Sequence, residues 1–402
     1  MKLLHFDVSK EWVIHIPIGM PVVKKSAEDL SHYMKLLSNR AGLSIKPPRI
    51  QAGDTVPDQR APRIFLLSEG NSQEQTGFFW HIEQNRIEIF GESDRGLCNG
   101  VFDFLTALGF RWPEPDQEIL PPVNRLKPQE YLPQETYRYH HAEGHTIRRR
   151  LLFARNHPSA TWKSVILWAV RNQIDTLVFS LYVRRLLKEK RQPETAHPLV
   201  QLGHKIARCY HSGKEVFDLA EKYALAIERG GWDLSLLVPR GYFWFNREIF
   251  RMDSGKRNNQ NNFCPTSPDT LNLIRRKAEK IFRACPNTLV YHLWPDQGYE
   301  RAWCSCPTCR AFTLEEQGRI AVNAAADALA RINPKGRISF YERSSGRGDI
   351  VLRPNLFKVS HLPGEVGAET EGWFSTTRFT KPTVTSRLQR LKPRTKTLRP
   401  WP

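Results

Sequence analysis

Long apolar runs are missing from this 402-residue chain, and its mean hydropathy is -0.50, so no stretch reads as a membrane-spanning helix. The N-terminus also lacks the apolar segment of a secretory signal, because Asp7 and Glu11 interrupt it. The expectation is a cytoplasmic protein with no membrane contact. Cysteine is sparse. Seven residues in so long a chain exclude a disulfide scaffold, and Cys98, Cys209 and Cys285 read as buried free thiols. The phosphate-cradling patterns G-x-x-x-x-G-K-[ST] and G-x-G-x-x-G are absent, as is a serine nucleophile elbow. Nucleotide binding and serine-hydrolase chemistry therefore have no support. Acidic residues are in deficit, 41 against 60 Lys and Arg, for a net charge of +19. Eight of the cations against three Glu fall in residues 360–402, and others cluster at Arg148–Arg150, Arg184–Arg185 and Arg275–Lys277. A basic field attracts polyanions, and the same charges also serve as a solvated face. A nucleic-acid partner is disfavoured, because no stretch interleaves basic and aromatic residues as the known modules do.

What is present is α/β patterning in two parts. Residues 1–130 read as one small α/β unit. The spacing predicts strands at Trp12–Ile18, Ile45–Ile50 and Arg63–Leu67, and a hairpin of Phe78–Ile82 with Arg86–Phe90. It predicts helices over Ser26–Arg40 and Asp94–Leu108, the second closed by Gly109. The Pro-rich stretch Pro113–Pro133 reads as a linker. Residues 137–358 then alternate helix and strand. Arg138–Arg149 is a poor first strand. Helices are expected at Trp162–Gln173, Lys214–Arg229, Asp269–Ala284 and Leu314–Ile332, and strands at Thr176–Leu181, Asp233–Val238, Leu289–Leu293 and Arg337–Tyr341. Repeated units of this length imply a parallel sheet, here the first five strands of an incomplete (β/α)8 TIM-type barrel. Residues 359–402 are Thr-, Arg- and Pro-rich without periodicity, and read as disordered or foreign to the fold.

One segment resembles a known family. The run Gly96-Leu-Cys-Asn-Gly-Val-Phe-Asp-Phe-Leu-Thr-Ala-Leu-Gly-Phe-Arg-Trp-Pro, ending in Ile119-Leu-Pro, resembles the close of the accessory domain of α-glucuronidases and β-hexosaminidases. Cys264-Pro-Thr-Ser-Pro-Asp269, then Asp296 ahead of Cys304, Cys306 and Cys309, then Val322-Asn323, resemble most the bacterial family called domain of unknown function 4838. The resemblance covers roughly residues 5–358. It implies an accessory domain, a barrel, and carbohydrate as substrate or ligand. The Asp-Glu pair of the hexosaminidases stands here as Asp296-Gln297.

Glycoside hydrolysis needs one carboxylic acid to protonate the leaving oxygen and a second carboxylate as base or nucleophile. Asp296 follows the expected fourth strand and Glu342 the fifth. Neighbouring strands lie about 4.8 Å apart, so both side chains can reach one cleft. Otherwise Asp296 caps its loop and Glu342 pairs with an arginine. His145, Arg148, His204, Trp244, His292 and Trp294 are the candidate sugar contacts, since His and Arg bind hydroxyl and carboxylate groups and Trp stacks on sugar C–H faces. Most of the 11 Trp must nonetheless be core. This chemistry requires no cofactor. Cys304, Cys306 and Cys309 can give three thiolates to a structural zinc, the fourth ligand being Cys264, Cys285 or His292; the alternative is reduced, packed thiols. The reading is a glycoside-hydrolase-like protein for carbohydrate, with uronic-acid or sulfated glycans suiting its basic body. The rivals are an inactive carbohydrate-binding relative and a basic nucleic-acid-binding protein with a metal-stabilised loop.

Overall fold

Six strands with apolar residues at alternate positions pair into the first sheet of the computed structural model, which describes residues 7–53, 62–70, 75–83, 85–127, 131, 137–140, 149–153, 162–181, 216–285, 287–296, 302–342, 349–361 and 373–375. They are β1 (Val13–Ile16), β2 (Arg49–Ala52), β3 (Arg63–Ser68), β4 (Phe78–Glu83), β5 (Arg86–Gly91) and β6 (Tyr137–His140), in the order β2-β1-β3-β5-β4-β6. Strands β2, β1, β3 and β5 run parallel, and β4 is antiparallel to both its neighbours. Helix α1 (Pro21–Arg40) buries Val23, Leu30 and Leu37, spaced to share one face. Helix α2 (Asp94–Ala107) is capped by Ser93, whose hydroxyl accepts from the Gly96 N–H at 3.1 Å. It is buried almost all round. A Cβ at Gly96 would stand 2.2 Å from the Gly77 carbonyl oxygen, so only glycine lets α2 lie this close to the chain entering β4.

The second sheet is parallel throughout. It comprises β7 (Arg150–Phe153), β8 (Thr176–Phe179), β9 (Ala226–Gly231), β12 (Val290–Leu293), β13 (Arg337–Tyr341), β14 (Leu356–Val359) and β15 (Trp373–Ser375), in the order β14-β13-β12-β9-β8-β7-β15. The chain thus adds strands along one edge and returns with β15 to the opposite edge, beside β7. This is a curled, incomplete barrel after a small α/β unit, as the sequence predicts. Strands β8, β12 and β13 are buried on both faces, as a helix-covered parallel sheet requires. Helices α3 (Trp162–Arg171), α4 (Pro268–Ala284) and α5 (Leu314–Ile332) are their crossovers, with a further helical segment at 216–222. Two short strands, β10 (Met252–Asp253) and β11 (Lys256–Arg257), make a hairpin in the long connection from β9 to α4. Its two-residue loop, Ser254-Gly255, has φ of 49° and 79°, the left-handed pair that a tight hairpin demands. Among the described residues no helix is long and apolar enough to cross a membrane.

Several boundaries differ from the sequence expectation. The strand expected at Asp233–Val238 lies earlier, at Ala226–Gly231, and Leu234–Leu237 forms a 3-10 turn. The expected helix Lys214–Arg229 stops early: among the described residues, 216–222 are helical, and Ala224 takes a positive φ of 50°. Glu228 and Arg229 made this stretch look like a helix face, yet both are strand residues buried inside the molecule. Strand β6, expected to open the barrel, completes the first sheet against β4, and the barrel starts at Arg150. Two strands, β14 and β15, follow Tyr341, and β15 lies within the tail expected to be unstructured. The two units also share one apolar cluster, running from Val8 through Trp112 to Leu151, Trp168 and Leu225. The Pro-rich stretch contributes Leu120, Val123 and Tyr131 to its edge, and just before that stretch the buried Trp112 accepts at its carbonyl from the Trp168 indole N–H at 3.0 Å.

Candidate functional site

Inside the barrel, charge is buried and paired. Glu228 on β9 accepts from Arg150 Nε on β7 at 2.6 Å and lies 2.8 Å from His292 Nε2 on β12. His292 Nδ1 lies 2.6 Å from Ser339 Oγ on β13, and Ser339 Oγ also accepts from the Trp294 indole N–H at 3.0 Å. Proton roles follow from that order. Trp294 donates to Ser339, Ser339 donates to Nδ1, and the Nε2 proton goes to Glu228. Burial keeps the His292 pKa below its ordinary value, against the pull of Glu228, so the ring is neutral. Burial pushes the Glu228 carboxyl up, but Arg150 and His292 outweigh it and hold it down at about 2. A buried anion with one arginine and one imidazole is a rigid strut joining four strands.

This network corrects one part of the sequence reading. His292 and Trp294, expected to touch a ligand, are both 0% exposed and support the barrel from inside. Glu228 was missed, and Arg150 stood out only as part of the basic cluster Arg148–Arg150. The signal available was a lone acid next to Arg229 inside an otherwise apolar, glycine-ended run.

The rim lies where the strands end. Asp296 sits three residues past β12, half-buried, with its backbone N–H donated to Asn262 Oδ1 at 3.1 Å. Its carboxylate pairs with Arg240 Nη2 at 3.5 Å. Arg240 opens a 3-10 turn, Arg240–Trp244, in the connection leaving β9. That turn carries Tyr242, Trp244 and then Phe245, exposed by 40%, 76% and 90%. Trp244 is therefore available to solvent close along the chain to the arginine that touches Asp296. Glu342 follows β13 directly and is 4% exposed. Arg319 of α5 holds it, with Nε at 3.1 Å from Oε1, and Lys358 Nζ stands 3.9 Å from Oε2. The arginine pairing is the alternative the sequence offered for Glu342. It lines a narrow crevice with Leu293, Pro295, Trp303 and Arg319. A larger groove, about 560 Å³, lies elsewhere, between Tyr242 and the Arg275, Arg276 and Arg331 side chains, and Asp296 does not line it. His145, Arg148 and His204 lie outside the described residues.

The thiols come together beside this rim. Cys264, Cys304, Cys306 and Cys309 are all buried, with sulfurs within 4.8 Å of one another. Of the three fourth ligands the sequence left open, the structure brings in Cys264. Cys285 closes α4, while His292 is engaged in the barrel interior. Gln317 of α5 positions the thiol loop: its Nε2 donates to the Cys304 and Cys309 carbonyls at 3.1 and 3.2 Å, and its Oε1 accepts from the Cys304 N–H at 3.1 Å.

Solved structures to which this chain is similar in fold include glycoside hydrolases. The chain is similar to the chitobiase of Flavobacterium johnsoniae, with a TM-score of 0.51 at 13% identity, over 92% of this chain and 54% of that one. It is similar also to the GH20 β-N-acetylhexosaminidase of Streptomyces coelicolor, with a TM-score of 0.51 at 10% identity, over 88% of this chain and 66% of that one. The likeness is one of fold: a small α/β unit followed by a parallel, barrel-type sheet. This chain spans about half of the first and two thirds of the second. No protein-family model matches it, and no curated protein does.

Proposed function

We propose that this protein is a glycoside-hydrolase-like protein that takes a glycan at the strand exits, with Asp296 as proton donor and Trp244 as stacking surface. The observation that carries this is Asp296, half-buried at the end of the fourth barrel strand and paired with an arginine from the aromatic turn. Parallel barrels place their chemistry at that face. The resemblance of Cys264–Asp269, Asp296 and the thiol loop to domain of unknown function 4838 supports the same reading. Arg240 and the net charge of +19 favour a uronic-acid or sulfated glycan, since Arg binds carboxylate in bidentate fashion.

A second reading, an inactive carbohydrate-binding relative, has its own support. Glu342 is already held by Arg319, so the second carboxylate is not free to serve as base. A reaction in which the substrate supplies its own nucleophile, as a 2-acetamido sugar does, removes the need for a second carboxylate as nucleophile. A panel of aryl glycosides should separate the readings. Turnover of an acetamido or uronic-acid glycoside, reduced about 10²- to 10⁴-fold by Asp296→Asn, supports the enzyme. No turnover, with glycan binding by calorimetry that Trp244→Ala weakens, supports the binder. Full activity in Asp296→Asn rejects Asp296 as the acid.

A further inference from the structure

The four thiols make a cage of the right size for one ion. A Zn–S bond of about 2.3 Å puts the corners of a tetrahedron about 3.8 Å apart. Cys264 Sγ lies 3.8 Å from Cys306 Sγ and 3.6 Å from Cys309 Sγ. A disulfide needs sulfurs about 2.05 Å apart, and all four cysteines are free. Neutral thiols packed for their apolar surface would show similar separations, so the surroundings decide. Cys304 Sγ accepts from the Met252 N–H at 3.3 Å, from the Cys306 N–H at 3.5 Å and from Arg257 Nη1 at 3.6 Å. Thr266 Oγ1 stands 3.1 Å from Cys309 Sγ and 3.5 Å from Cys264 Sγ. A thiol sulfur is a weak acceptor, and two backbone N–H groups with a guanidinium around one sulfur suit a thiolate. The β10–β11 hairpin supplies two of these donors: the Met252 N–H on β10 and, after the tight turn, the Arg257 guanidinium on β11 both face Cys304.

We infer that Cys264, Cys304, Cys306 and Cys309 bind one structural zinc ion as a tetrathiolate. Zinc enters as the dication and the four thiol protons leave to solvent, giving a site of charge −2 that Arg257 partly offsets. No ligand position stays open, so the ion is structural and supplies no Lewis-acid chemistry. Its mechanical effect is specific. Cys264 belongs to the connection leaving β9, and the other three to the connection leaving β12. The ion therefore ties together the two loops that present Trp244 and Asp296, and it fixes Asn262, two residues before Cys264, against the Asp296 backbone. The zinc assignment stands whether or not the glycan reading holds, because its readout is metal content.

The test uses the full chain, expressed with zinc in the medium and purified without chelator. Elemental analysis should find one zinc per chain in the wild type and in Cys285→Ser. In Cys264→Ser zinc affinity should fall at least about tenfold, the usual scale for disturbing a metal site. Cobalt exchanged into the wild type should give the intense visible absorption of tetrahedral thiolate ligation. Should Cys264→Ser fail to fold, stripping the wild type with a chelator and adding zinc back serves instead. Proteolysis within residues 232–313 should speed up on stripping and slow on zinc return. Zinc well below one per chain in the wild type would overturn the inference. So would one iron in its place, a disulfide among the four by mass, or zinc lost from Cys285→Ser and retained in Cys264→Ser.

Discussion

Replacing Glu228 by Gln removes one charge from the barrel interior and leaves its shape. The side chain is 2% exposed, so solvent does little to weaken its interactions. Its carboxyl titrates at about 2 in the folded protein against an ordinary 4.5. At about 1.36 kcal/mol for each unit of pKa, the gap amounts to on the order of 3 kcal/mol of folding stability. The folded pKa is the lower one, so this contribution is complete above about pH 4.5. It shrinks as pH falls towards 2 and is roughly halved by pH 3. Gln imitates the protonated acid and should forfeit the contribution at any pH. Urea unfolding of wild type and Glu228→Gln should thus differ by about 3 kcal/mol at pH 7 and by about half that at pH 3. Subtracting the variant cancels every other acid that titrates in the same range. An equal difference at both values would refute the claim that Arg150 and His292 hold Glu228 ionised. A difference below about 0.5 kcal/mol at pH 7 would refute the strut itself.

Gly230 takes a φ of +117°, and a Cβ there would stand 1.9 Å from the His292 carbonyl oxygen. Gly230→Ala should cost about 4 kcal/mol or abolish soluble protein, whereas Gly241→Ala, which faces open space, should stay within about 0.5 kcal/mol by urea midpoint. Arg319→Met leaves Glu342 buried with only the more distant Lys358, and should cost about 3 kcal/mol. Adding Glu342→Gln should restore part of that loss, and failure to do so would argue against the ion pair as the cause.

In the first sheet the β4–β5 hairpin could be read from its alternation, and in the barrel three strands could be read as apolar runs. Thr176–Phe179, Val290–Leu293 and Arg337–Tyr341 are short apolar runs after helical patterns, and no other assignment suits them. Asp296 was placed correctly past the fourth strand for the same reason. Strand β9 was hidden because its polarity is satisfied from a distance. The cation that makes Glu228 tolerable is Arg150, 78 residues away, and local periodicity holds no record of it. The fourth thiol was open for a similar reason. Cys264, Cys285 and His292 are equally good ligands in one dimension, and only the close approach of two loops selects among them. Strand β15 has three residues and derives its identity from the β7 edge it pairs with. A segment that short carries too little pattern to be recognised alone.

Helix α2 has further meaning for how the molecule comes apart. Its Arg95 donates to the Ile174 carbonyl at 3.0 Å and lies 3.4 Å from Asp175, while Asn99 donates to Asp175 at 3.0 Å. One turn on, Asp103 accepts from Trp80 on β4, Arg138 on β6 and Gln173 just past α3. A helix with no solvent side serves as keystone for both sheets at once. Neither sheet can shed it without uncovering the other, so the accessory unit is not a cassette that can be shuffled onto another barrel. Evolution would have to transfer α2 together with its sockets in the connection from α3 to β8, and the smallest heritable piece of this fold is larger than either of its two sheets.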